Sequence, residues 1–262
     1  MKEASPPRRF RRGASILPSL FTTGNLFLGF WCIIKTHHGH YDEAAPLIGW
    51  AFLLDMLDGR IARLTGTTSE FGGELDSLAD VISFGVAPGL LAYAWAFGSV
   101  PRAGWLAAFL FVVCGALRLA RFNVQRQTVD SRSFVGLPIP AAAGQIAALV
   151  YSFPEGLDAR YQAVPVLALM VTLSFLMVST FRYASFKGVD LRKRRSYINV
   201  LGIALIFFLI ALHPEWALLG AASLYSLSAP TAYLLTVLRR RTPVAIPTPP
   251  TEVREVQEGP VG

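Results

Sequence analysis

Between positions 55 and 80 the chain reads DMLDGRIARLTGTTSEFGGELDSLAD, and its four aspartates, Asp55, Asp58, Asp76 and Asp80, stand in a sequence that is otherwise apolar on both sides. Four carboxylates held together repel strongly, and an acid inside a membrane is costly enough to be read as functional. Divalent cations remove that repulsion. An oxygen-only ligand set points to Mg²⁺ or Mn²⁺, and no Cys or His lies nearby to indicate zinc. A salt-bridged helix pair does not account for the stretch. Only Arg60 and Arg63 are near enough to pair locally, and they cannot neutralise the four aspartates and Glu74 as well.

The spacing says what must hold these groups. Asp55, Asp58 and Ala62, with Gly59, fall on one face of a helix, and Gly72, Asp76, Asp80 and Ser83 fall on one face of the next. A chain reversal between Leu64 and Phe71 brings the two acidic faces together. Gly59, Ala62 and Gly72 matter for their small size. A mid-helix glycine costs about 1 kcal/mol against alanine, a cost that makes sense where a bulky ligand lies against the backbone, and a phosphate bridging two metal ions fits there.

With 53% hydrophobic and 16% charged residues and a mean hydropathy of +0.46, the 262-residue chain is expected to be an all-α polytopic membrane protein. Eight transmembrane helices are predicted, over about 16–34, 44–64, 72–97, 104–122, 138–153, 163–181, 198–212 and 216–238. They divide into a six-helix catalytic core and two C-terminal helices, with both termini cytoplasmic. Residues 1–15 read as a basic cytoplasmic tail, 16–241 as the membrane domain and 242–262 as a Pro-rich disordered tail. In this topology 21 of the 24 Lys and Arg face the cytoplasm and only Lys35, Arg102 and Arg160 face outward, as the positive-inside rule requires. That distribution, and not a nucleic-acid surface, explains the net charge of +7. Cys32 and Cys114 both lie in apolar segments, so neither a disulfide framework nor a metal site is indicated. Asp55 precedes Leu64 by nine residues, which sinks the acids roughly 14 Å below the cytoplasmic surface at 1.5 Å per residue.

Two further groups of polar residues fall in the spans. Pro18, Thr22 and Asn25 share a face of the first helix, where bonding between helices is the ordinary use of such side chains. Arg118 and Arg121 are i, i+3 neighbours that suit either interface anchors or an anion site for a carboxylate or phosphate.

The spacing D-x2-D-G-x2-A-R-x8-G-x3-D-x3-D, here Asp55, Asp58, Gly59, Ala62, Arg63, Gly72, Asp76 and Asp80, resembles the signature of the CDP-alcohol phosphatidyltransferases. Together with LPSLFTTGNLFLGF, GGELDSLADVISFGVAPG, RLARFN and GLPIPAAAG, it is similar to one branch of that family, the membrane phosphatidylserine synthases, over about residues 8–145. The resemblance implies transfer of the phosphatidyl group of CDP-diacylglycerol to L-serine with release of CMP. It implies two divalent ions (Mg²⁺ or Mn²⁺) held by Asp55, Asp58, Asp76 and Asp80, with Asp80 as general base. Thr22, Asn25, Asp58, Gly59, Ala62, Arg63, Gly72 and Asp76 are expected to enclose the nucleotide end of the donor. Arg118, Arg121 and Asn123 are expected to contribute to the serine pocket. Ser19 stands where the family commonly has Asn, which leaves Thr22 and Asn25 as that element's contacts. A homodimer in the cell's inner membrane, with its site open to the cytoplasm, completes the expectation.

Two other readings compete. The same reaction class with glycerol 3-phosphate, an inositol phosphate or choline as acceptor changes only the second substrate. A cation-coupled transporter with midmembrane acids is the other, although the acids occupy one hairpin with no second copy in the later half. His37, His38 and His40 read as a solvated loop on the opposite side, and the basic run FRYASFKGVDLRKRRS as a topology determinant.

Overall fold

A computed structural model describes residues 8–65, 69–125, 133–157, 159–184 and 211–240, together with residues 202 and 208. Among these residues the chain forms seven continuous helices and one short ribbon. They are α1 (Arg8–His37), α2 (Tyr41–Thr65), α3 (Glu70–Asp80), a π-helical turn (Val81–Val86), α4 (Ala87–Ala96), α5 (Pro101–Gln125), α6 (Ile139–Ser152), α7 (Arg160–Val178) and α8 (Pro214–Arg240). α3, the π turn and α4 run on without a break. The expected helix over 198–212 falls mainly, and the expected tail over 242–262 wholly, outside the described residues, whereas the expected N-terminal tail is described from Arg8 onward, where it is helical.

Among the described residues, four helices are long and apolar enough to cross a membrane: Glu70–Ala96, Pro101–Val124, Arg160–Val178 and Pro214–Thr236. The fold is that of an all-helical membrane protein. The helix Ile139–Ser152 is apolar but shorter. α1 and α2, which carry Thr22, Asn25, Asp55 and Asp58, are more polar and lie along one another. Lys35 at the end of α1 and Glu43 in the first turn of α2 form an ion pair where the chain turns back.

The core sits between α4, α5, α6 and α7, where Phe84, Leu91, Phe97, Phe111, Ile139, Ile146, Met170, Leu173 and Met177 are fully buried. α1 approaches the π turn so closely that a side chain on Gly29 would overlap Ser83. The Ser83 hydroxyl donates to the Asn25 carbonyl at 3.0 Å across that contact. At the end of the bundle away from the acids, Tyr41 donates to the Ala94 carbonyl at 2.9 Å and Trp95 donates from Nε1 to the Phe153 carbonyl at 2.7 Å.

Three differences from the sequence expectation have physical reasons. α1 begins at Arg8, well before the apolar run at 16, because basic residues are good helix formers and a helix end in water needs no burial. α7 ends at Val178 and does not reach 181, since Ser179 takes extended geometry (φ −60°, ψ 165°) to enter a strand. That strand, β2 (Arg182–Ala184), pairs antiparallel with β1 (Ser133–Val135) in the register Ser133↔Ala184, Phe134↔Tyr183 and Val135↔Arg182. The beginning of the basic run is therefore part of a ribbon.

Candidate active site

α2 and α3 bring the acids together. Ser69 caps α3, its Oγ accepting from the Gly72 N–H at 3.0 Å, so the helix starts with the small face toward its cap. From there one ligand oxygen each of Asp55, Asp76 and Asp80 come within 4.8 Å of one another. Three carboxylates at that separation are a ligand set for a hard divalent cation, and their chemistry is oxygen alone. Asp58, one turn after Asp55, is buried and accepts a hydrogen bond from the Thr22 hydroxyl on α1. It stands outside the group of three, although its charge, with those of Asp55 and Asp76, bears on Asp80.

α1 supplies the donors that orient the acids. Asn25 is fully buried and donates from Nδ2 to Asp80 Oδ1 at 3.4 Å, a long bond that still fixes which oxygen of Asp80 faces α1. Immediately after Asp80 the ladder widens to the π turn, with the Ala87 N–H bonded to the Ile82 carbonyl. Pro88 follows and has no N–H to give, which weakens ordinary winding at this point. Gly59 and Gly72 are half-buried on the faces that carry the acids. Ala62 and Arg63 lie in the last turns of α2, and their side chains are outside the described residues.

The cationic side is divided. Arg118 on α5 is buried, its guanidinium lies 5.4 Å from the Phe122 ring centroid, and it interacts electrostatically with Asp80. Among the described residues its Nε has no hydrogen-bond acceptor. Arg121 is used differently from the serine contact expected of it. It donates to the backbone carbonyls of Val178 (3.0 Å), Ser179 (3.2 Å), Val135 (3.4 Å) and Met177 (3.5 Å). A cation at the carboxyl end of α7 satisfies carbonyls left over by the helix and complements its dipole. Gly136 completes that joint with φ at +80°, in a place where a Cβ would collide with the Met177 carbonyl. Asn123 donates to the Ser77 hydroxyl at 2.8 Å, and Ser77 in turn bonds the Gly73 carbonyl, so α5 steadies the helix that carries Asp76 and Asp80.

Sequence reasoning passed over three participants: Phe122, Ser77 and Tyr225. Phe122 stands four residues after Arg118, and that spacing is a readable signal. Tyr225, on α8, lies within electrostatic reach of Arg118, and nothing in the sequence marks it. The neighbouring Tyr183 donates to the Ser226 carbonyl at 3.0 Å. Burial first, and Tyr225 second, push the Tyr183 phenol up to about 12, so it remains a donor across the neutral range. His37, His38 and His40 are exposed at the far end of α2 from the α3 junction.

Helices apolar enough to span a membrane and an acidic hairpin that could hold a divalent cation are together the features of a membrane-embedded acidic site. Residues 15–181 match the CDP-alcohol phosphatidyltransferase family, and the chain belongs to that family and is a transferase. It is 43% identical over 197 residues to a CDP-diacylglycerol–serine O-phosphatidyltransferase of Helicobacter pylori, covering 73% of this chain and 81% of that protein. It is 35% identical over 173 residues to the Bacillus subtilis protein of the same name, covering 65% of this chain and 91% of that one. An archaetidylserine synthase of Methanothermobacter thermautotrophicus is 38% identical over 175 residues, covering 66% of this chain and 71% of the relative. Membership of the family sets aside the transporter reading.

Proposed function

We propose that the chain transfers the phosphatidyl group of CDP-diacylglycerol to the hydroxyl of L-serine, giving phosphatidylserine and CMP. The observation that carries the proposal is the convergence of Asp55, Asp76 and Asp80 from two helices onto one point. The serine relatives favour that acceptor over other alcohols.

Asp55, Asp76 and Asp80 would hold the divalent ions, with Asp58 completing the set from the next turn of α2. When bound, such ions supply charge neutralisation on the pyrophosphate and on the departing CMP. Thr22 and Asn25 orient Asp58 and Asp80 from α1, and with Gly59, Ala62, Arg63, Gly72 and Asp76 they enclose the nucleotide end. Asp80 takes the proton of the serine hydroxyl. The serine oxygen forms its bond to the phosphorus bearing diacylglycerol as the bond from that phosphorus to the bridging oxygen breaks, and the bridging oxygen leaves with CMP. Arg118 draws in the serine carboxylate. The charge census supports a site opening to the cytoplasm of the inner membrane, with eight spans and both termini inside, and the resemblance supports a homodimer.

Purified protein supplied with CDP-diacylglycerol, Mn²⁺ or Mg²⁺, and in turn L-serine, glycerol 3-phosphate, an inositol phosphate or choline, should release CMP only with L-serine. CMP release with one of the other alcohols and none with serine would replace the acceptor while keeping the reaction class.

A further inference from the structure

α8 lies beyond the residues that match the family, yet it is fastened to the catalytic body along its length. Ser152 donates to the Glu215 carbonyl at 3.1 Å and Trp216 packs edge-on against Phe153 at 5.7 Å. One turn of α8 is held from two sides, Gln145 donating to the Ser223 hydroxyl at 3.1 Å and Tyr183 to the Ser226 carbonyl at 3.0 Å. Further along, Tyr233 meets Phe181 at 5.3 Å between ring centroids. Tyr225 sits within the doubly held turn, half-buried, its ring 5.6 Å from that of Tyr183, and its hydroxyl bears electrostatically on Arg118.

Arg118 thus has Phe122 of its own helix against it and lies within electrostatic reach of Asp80 on α3 and of Tyr225 on α8. A buried guanidinium with an unfilled donor is costly unless something accepts from it, and its fork matches a carboxylate. A carboxylate that takes the fork has further lone pairs, and a phenol hydroxyl is a donor suited to one of them. We infer that Tyr225 is a specificity-determining residue of the acceptor pocket, its hydroxyl holding the carboxylate of the acceptor alcohol together with Arg118. This role for Tyr225 rests on the serine reading above and extends it. The same placement directs the acceptor's other end, hydroxyl and ammonium, toward the acids around Asp80. It also gives the C-terminal helix a share in choosing the substrate.

The test uses the full chain in detergent with CDP-diacylglycerol micelles and two acceptors, L-serine and serinol, which replaces the carboxylate by a hydroxymethyl group. Tyr225→Phe keeps the ring against Tyr183 and removes only the hydroxyl. The expected result is a rise of about tenfold in KM for L-serine, the size of one hydrogen bond to a charged group. With it, kcat stays within about twofold, KM for CDP-diacylglycerol is unchanged, and the preference for serine over serinol falls by the same factor. An unchanged serine KM, or an equal loss of kcat with both acceptors, would overturn the role for Tyr225. Wild-type protein that releases no CMP with L-serine sinks the serine reading itself, whereas active wild type with an unaltered Phe variant sinks only the part played by Tyr225.

Discussion

Asp55, Asp76 and Asp80 come from two helices and converge to within 4.8 Å, whereas Arg118, Arg121 and Asn123 are neighbours on one helix and turn to three different tasks. Arg118 stays buried beside Asp80, Arg121 holds the carbonyls at the end of α7, and Asn123 ties α5 to Ser77 on α3. The difference follows from what each group needs. Like charges gathered in one place serve nothing without a bound cation, so their convergence points to a ligand. Cations near a membrane surface meet many carbonyls and acids, so an arginine in a motif can serve either the chemistry or the scaffold. Its position in the sequence does not decide which.

Substitutions should separate the two sides. Asp80→Asn keeps the shape and removes the base, so CMP release should fall about a thousandfold while bound CDP-diacylglycerol is retained in an equilibrium binding assay. Loss of donor binding in step with activity would move Asp80 from proton transfer to donor binding alone. Arg118→Gln should lower kcat/KM for L-serine about a hundredfold with a small change in the midpoint of thermal unfolding. Arg121→Gln should show the reverse emphasis. Removing several bonds to the exposed and part-buried carbonyls at the end of α7 should cost about 1–3 kcal/mol of stability, read as a lower midpoint in detergent, with a much smaller effect on the serine KM. Equal effects in the two variants would erase the division of the cationic side. Thr22→Val removes the donor to Asp58 and should reduce kcat/KM for CDP-diacylglycerol about tenfold, the smallest of these effects.

The sequence carried the acidic hairpin almost completely, because a 3.6-residue period and a reversal between two spans are enough to place Asp55, Asp76 and Asp80 together. The seven described helices were legible for the same reason, and their ends ran two or more residues past the apolar stretch at Arg8, Pro101 and Arg240, where polar turns continue the winding. The β1–β2 ribbon was not legible. Its strands are three residues long and sit in basic segments with no alternation to read. The task of Arg121 depends on where the last turn of α7 lands, and the place of Tyr225 depends on a helix about a hundred residues away in sequence from Arg118. Both are settled by packing between distant elements, which local pattern does not record.

The π-helical turn at Val81–Val86 adds a residue to the winding directly after Asp80. At about 100° per residue, that offset sets the angular phase of Asp76 and Asp80 apart from the phase in which α4 presents Leu91 and Trp95 to the core. The face that presents the acids and the face that packs into the bundle are therefore not bound to a single stripe of one uninterrupted α-helix, as a spliced shaft can carry two keyways out of line.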